Sequence, residues 1–168
     1  MVLRFTEMES SIGSLILAGE AEGSRLGGLR LVWLPGGSGT FRPGADWMRD
    51  ARPFEEAIRQ LREYLAGRLT AFDLPLAPEG TPFQQEVWRA VAAIPYGETR
   101  SYGAIARQIN RHDAVRAVGA ANGQNPLPIV IPCHRVIGSD GRLTGYGGGL
   151  PLKKRLLALE SRQRSLPS

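Results

Sequence analysis

Proline and glycine crowd into PLAPEGTP, around residues 75 to 82, and the chain is patterned differently on its two sides. Before it, LRFTEME, SLILAGE and GLRLVWL are short segments rich in β-branched and bulky apolar residues, punctuated by SSIG and by glycines. That is the pattern of an antiparallel meander. PGGSGTFRPGA then reads as a loop. From Pro53 onward, Phe54, Ala57, Ile58, Leu61, Tyr64 and Leu65 follow helical spacing, and Gly67 is placed to stop the helix. Beyond the break, Thr81-Pro82-Phe83-Gln84 has the form of a capping box with proline at the first helical position. Phe83, Val87, Val91 and Ile94 make an apolar stripe that Pro95 ends. Ser101 can cap a second helix beginning at Tyr102, with Ile105 and Ile109 inward, and Asp113 can cap a third containing Val115, Val118 and Ala121. Two short helices joined by a tight turn have the form of a helix-turn-helix. The expectation is an α+β protein: residues 1–77 a small β-sheet domain with a helix and a structural role, 78–162 a mainly α-helical domain, and 163–168 a disordered tail.

No run of the 168 residues approaches the length that spans a bilayer, and MVLRFTEME lacks the apolar core of a signal peptide. A cytoplasmic protein with no membrane partner is expected. Residues 1–77 carry nine Arg or Lys against ten Asp or Glu, whereas residues 78–168 carry twelve against six, so the positive excess is all C-terminal. Nineteen of the 21 basic residues are arginine, whose planar fork suits phosphate. A nucleic-acid partner is allowed by this charge, but from charge alone solvated surface arginines rank ahead of it.

The C-terminal part holds the only cysteine, Cys133, followed at once by one of the two histidines, His134. A single thiol makes no internal disulfide, and with so few ligands no structural metal or cofactor is expected. IVI before it is a strand candidate, and Pro132 forces a turn, so Cys133 falls at a strand exit. Neighbouring side chains diverge in strands and helices alike, so a water between thiol and imidazole is the natural link. An ordinary thiol is barely ionised at neutral pH, and His134 would have to draw off its proton. Glu160, on the amphipathic helix that LPLKKRLLALE suggests, is a candidate to orient the imidazole. Asn125, in ANGQNP, can staple adjacent turns through its amide, and TGYGGG sets flexible backbone beside the Tyr146 ring. Small residues after Arg116 in DAVRAVGAANG allow a close approach of that helix to a partner.

PCHRVIG, preceded by RAVGAANGQNPLPIVI and followed by GRLTGYGGGLPLKKRLLALE, resembles the active-site region of the O6-alkylguanine-DNA alkyltransferases, proteins of direct-reversal DNA repair. The resemblance runs from about Gly80 to Glu160. The N-terminal half shares only its size, its opening SSIGSLILA and a β-rich, ribonuclease-H-like character. The resemblance implies Cys133 as alkyl acceptor, His134 as its base acting through water, Glu160 as the acid that orients the histidine, and Asn125 as the amide that holds the turn. Tyr102 would help expel the nucleotide and donate a proton to the guanine ring. Arg116 would enter the duplex where the base has left. Arg135 and the small residues Ala117, Ala120 and Ala121 would meet DNA, and Val136, Tyr146 and Gly147 would wall the pocket. Some relatives carry serine where this chain has Gly147, which leaves only a backbone contact to O6 and room for larger alkyl groups. The expected partner is double-stranded DNA containing O6-alkylguanine, met by a monomer that reacts once. A non-catalytic lesion sensor or a helix-turn-helix regulator is the alternative, and either would keep its function without Cys133.

Overall fold

The computed structural model describes residues 1–36 and 40–165. Residues 37–39, within the expected loop, and 166–168, within the expected tail, lie outside the described residues. The chain divides into two compact units, Met1–Glu79 and Gly80–Ser168.

In the first unit β1 (Val2–Ser10), β2 (Gly13–Glu22) and β3 (Arg25–Trp33) form the antiparallel meander that the short apolar segments imply. A fourth short strand, β4 (Met48–Arg49), adds parallel to β1, giving the order β3-β2-β1-β4. Strand alternation puts Thr6, Met8, Leu15 and Leu17 inside. A 3-10 turn, Arg52–Phe54, packs on β2 and β3 and leads into α1 (Glu55–Leu65), whose Ala57, Leu61 and Tyr64 are buried. Gly67 ends the helix at φ +79, with its N–H on the Tyr64 carbonyl. The boundary stretch is not a free linker. Leu29 N–H donates to the Pro75 carbonyl at 2.7 Å and Ala77 N–H to the Leu29 carbonyl at 2.8 Å, so the segment covers the outer edge of β3, which would otherwise offer unpaired backbone groups. Gln60, a buried polar residue that periodicity does not single out, locks onto Asp73 through both ends of its amide.

The second unit is mainly helical. Its α2 (Pro82–Ala92) starts with the expected capping box: the Thr81 hydroxyl accepts from Gln84 N–H, and the Gln84 side chain from Thr81 N–H. The Ser101 hydroxyl caps α3 (Tyr102–Gln108) by accepting from Ala104 N–H at 3.0 Å. After a turn in which Asn110 adopts φ +58, α4 (Val115–Gly123) packs against both α3 and α2. The cap expected from Asp113 is absent: Ala114 holds that position with no side-chain bond. Two short strands, β5 (Arg100–Ser101) and β6 (Val136–Ile137), pair in parallel and bring the end of the cysteine segment beside the start of α3. The last helix, α5 (Leu150–Ser165), runs into the stretch 163–168 expected as a tail. No helix of the described residues is long and apolar enough to cross a membrane.

Candidate active site

The site is built on a turn rather than on the exit of a strand. The apolar run IVI, expected to be extended, folds back on itself: Ile131 N–H donates to the Leu127 carbonyl at 2.8 Å, and Ile129 sits at φ +75. A β-branched residue there is strained, at about 1–3 kcal/mol. Two things hold it. Ile129 and Ile131 are buried, and Asn125 staples the turn, its Nδ2 donating to the Ile131 carbonyl and its Oδ1 accepting from Leu127 N–H, both at 2.9 Å. Pro132 then leads into a 3-10 turn, Cys133–Arg135.

That turn points its side chains different ways, all inward. Cys133 is 6% exposed, His134 0% and, on α5, Glu160 1%. Glu160 joins the last helix to the turn: His134 Nε2 lies 2.7 Å from its Oε2, while Arg135 donates to Oε1 from Nε at 2.8 Å and to Oε2 from an Nη at 3.0 Å. Arg135 also donates to the Ile94 carbonyl at 2.7 Å and lies over the Tyr96 ring. The residue expected to meet DNA is therefore turned inward, a strut that neutralises a buried carboxylate. Burial pushes the Cys133 thiol up to about 11, against the Asn125 hydrogen bond and the Lys153 charge, which favour the thiolate. The resting group is a thiol. Burial also holds the His134 imidazole below its ordinary range, although Glu160 pulls the other way. His134 is thus neutral at neutral pH and able to accept a proton.

Cys133 lines a pocket together with Asn125, Tyr146 and Gly147. A Cβ on Gly147 would meet nothing within 4 Å, so this wall is open. Val136, expected in the wall, is fully buried and not among the lining residues; its carbonyl accepts from Lys153 Nζ at 2.7 Å. Tyr102 stands at the first position of α3 beside Gly119 of α4, its hydroxyl 2.5 Å from that of Thr144. On α4 the helical period separates the residues expected to face DNA. Arg116, Ala117 and Ala120 are exposed, whereas Ala121 is 2% exposed and its carbonyl accepts from Trp88 Nε1. Ala121 is therefore a packing residue. Among the described residues, no cluster of His, Cys, Asp and Glu is arranged to hold a metal ion.

Sequence reasoning missed Lys153 and Asn122. Lys153 is 0% exposed and ties Val136 to the Thr144 carbonyl, 3.1 Å away; burial lowers its pKa. In the sequence it is one of the basic residues of an amphipathic helix, and only the inward phase it shares with Leu156 and Glu160 could have marked it. Asn122 sits in a stretch read as merely small.

Comparison with known proteins covers both units. The model for the ribonuclease-like domain of 6-O-methylguanine DNA methyltransferase matches residues 3–78, and that for its DNA binding domain matches residues 82–162. The chain is 53% identical over 153 residues to a methylated-DNA–protein-cysteine methyltransferase of Methanosarcina barkeri, a match spanning 91% of this chain and 94% of the relative. It is 51% identical over 162 residues to that of Mycolicibacterium paratuberculosis, spanning 96% and 94%. The crystal structure of Mycobacterium tuberculosis OGT in complex with DNA is similar at a TM-score of 0.87 and 47% identity, covering 95% of this chain and 94% of that one. Matched in both of its units and along nearly its whole length, the chain belongs to the 6-O-methylguanine DNA methyltransferase family.

Proposed function

We propose that this protein repairs DNA by direct reversal, taking the alkyl group of an O6-alkylguanine onto Cys133 and keeping it. The observation that carries the reading is a buried thiol followed by a buried imidazole that a buried carboxylate grips by its far nitrogen, in a unit matched by the family's DNA binding domain. Relatives about half identical over most of the chain bear the name of a methyltransferase acting on methylated DNA and a protein cysteine.

The lesion lies inside a duplex, so the nucleotide must rotate out, at a cost of a few kcal/mol of stacking and pairing. Exposed Arg116 on α4 fills the gap, and Ala117 and Ala120 beside it let the helix backbone come close to a minor groove. Arginines of this unit add salt-dependent, sequence-independent affinity. With the base seated, the thiol proton passes through a water to His134, whose Nε2 stays on Glu160. The sulfur attacks the alkyl carbon, an S–C bond forms and the C–O6 bond breaks with its electron pair going to the base. Tyr102 gives up its bond to Thr144 and delivers a proton to the purine, restoring neutral guanine. The product is a thioether without a carbonyl for water to attack, so one monomer is consumed per lesion.

The test is the intact mass of the protein, followed by peptide mapping, after incubation with duplex carrying one O6-methylguanine. One methyl per molecule on Cys133 is expected; binding without mass gain returns the lesion-sensor reading.

The pH dependence of transfer follows from the imidazole. Its neutral form is the active one, and burial lowers its pKa below 6.5. Single-turnover rates should therefore fall to half only at a pH on the acid side of 6.5. Stability has the same sign: the unfolded chain takes up the proton first, so stability present above 6.5 declines as pH falls below it. A rate that halves at 6.5 would show an ordinary, solvated histidine.

A further inference from the structure

A base that is to take the Cys133 proton has to arrive without one, and the surroundings of His134 push both ways. From α5 come Glu160, whose Oε2 lies 2.7 Å from the His134 Nε2, and the buried Lys153. The turn itself adds Cys133 and Arg135, Tyr96 lies against Arg135, and Tyr146 lines the pocket. The buried residues of α2, which also packs on the turn, are the uncharged Val87, Trp88, Ala90 and Val91. Burial raises the Tyr96, Cys133 and Tyr146 groups, so all three are neutral where an imidazole titrates. One anion, Glu160, is left against two cations, Arg135 and Lys153.

A bare carboxylate within hydrogen-bond distance of an imidazole favours the imidazolium. Such a histidine would already hold the proton it has to accept. Glu160 is not bare. Arg135 Nε donates to Oε1 at 2.8 Å and an Nη to Oε2 at 3.0 Å, so the oxygen that meets the imidazole is shared with a guanidinium. The planar fork of arginine suits this two-point grip on a carboxylate. It is also fixed in place, because another Nη donates to the Ile94 carbonyl at 2.7 Å and the guanidinium carbon lies 5.6 Å from the centre of the Tyr96 ring. Lys153 is bound to the Val136 and Thr144 carbonyls instead. Resting on the alkyl-transfer reading above, we infer that Arg135 is a positioning residue of the reaction: its charge, held on both oxygens of Glu160, lets the carboxylate orient His134 without protonating it.

The experiment follows single-turnover transfer from O6-methylguanine duplex against pH in the parent, Arg135→Gln, Arg135→Met and Arg135→Lys, and titrates the imidazole signals of the same proteins by NMR. The chain has two histidines, so His112→Ala assigns the His134 signal. In the two uncharged variants the pH of half-maximal rate and the His134 midpoint should rise together by about one unit or more, with the lost rate regained on the alkaline side. Arg135→Gln keeps N–H groups for Glu160, which favours its folding, and Arg135→Lys keeps the charge and should titrate nearer the parent than either uncharged variant does. A rate lowered alike at every pH with the midpoint unmoved overturns the proposal and leaves Arg135 as a strut. So does a midpoint as high in Arg135→Lys as in Arg135→Gln, or a failure of both uncharged variants to fold. The NMR titration needs no transfer, so a parent that takes no methyl sinks the alkyl-transfer reading separately, while the midpoints still decide whether Arg135 sets the charge on His134.

Discussion

A Cys133→Ser chain is expected to gain no methyl from O6-methylguanine duplex at any time, while binding that duplex as tightly as the parent. The side chain is nearly sealed off, and burial already holds the better acid, the thiol, up to about 11. A hydroxyl in its place stays protonated, and His134 cannot make it a nucleophile for a saturated carbon. The exposed residues proposed to face DNA, Arg116, Ala117 and Ala120, are untouched. Stability should change by less than about 2 kcal/mol, the cost of burying one small hydroxyl. Mass spectrometry and a gel-shift titration on one preparation read both outcomes. Loss of binding along with transfer would mean that the thiol holds the site together, and methylation of the serine variant would place the acceptor elsewhere.

The second large effect belongs to Glu160. Glu160→Ala removes the orienting partner of His134 and strands the Arg135 cation, whose side chain is 8% exposed. General-base assistance contributes about 10²–10⁴-fold in rate, so transfer should fall by that order. An unpaired buried charge costs about 3–5 kcal/mol, a drop in melting temperature on the order of 10 °C for a chain of this size. The two losses are separable. Adding Arg135→Met to Glu160→Ala removes the stranded cation and should recover most of the stability, while the rate stays low because His134 still lacks the carboxylate that orients it. A double variant that recovers both, or a single variant with the parent's rate, would place the carboxylate in the scaffold and outside the chemistry.

What the sequence made legible was local. The capping box at Thr81 and Gln84, the Ser101 cap, the helix stop at Gly67 and the β1–β2–β3 meander all depend on neighbours a few residues apart, and each stands where the pattern put it. The misreadings share a cause. IVI is an apolar run too short to separate an extended strand from a buried turn, and what decides it is the Asn125 staple at both ends of the turn. Arg135 reads as one more basic residue in a basic half until Glu160, 25 positions later, folds back against it. Lys153 is hidden in the same way, by the Val136 carbonyl 17 positions earlier. Ala121 looks like its neighbour Ala120, and only the phase of α4 separates inward from outward.

The buried Glu160 also sets an order of events during synthesis. A ribosome makes Cys133 and His134 well before it makes α5, and until that helix docks the imidazole has no carboxylate to hold it and Arg135 has no counter-charge. The nascent thiol is therefore unprimed. For a protein that spends itself in one reaction, arming the nucleophile with a helix made after it means that no copy can be used up before α5 has docked.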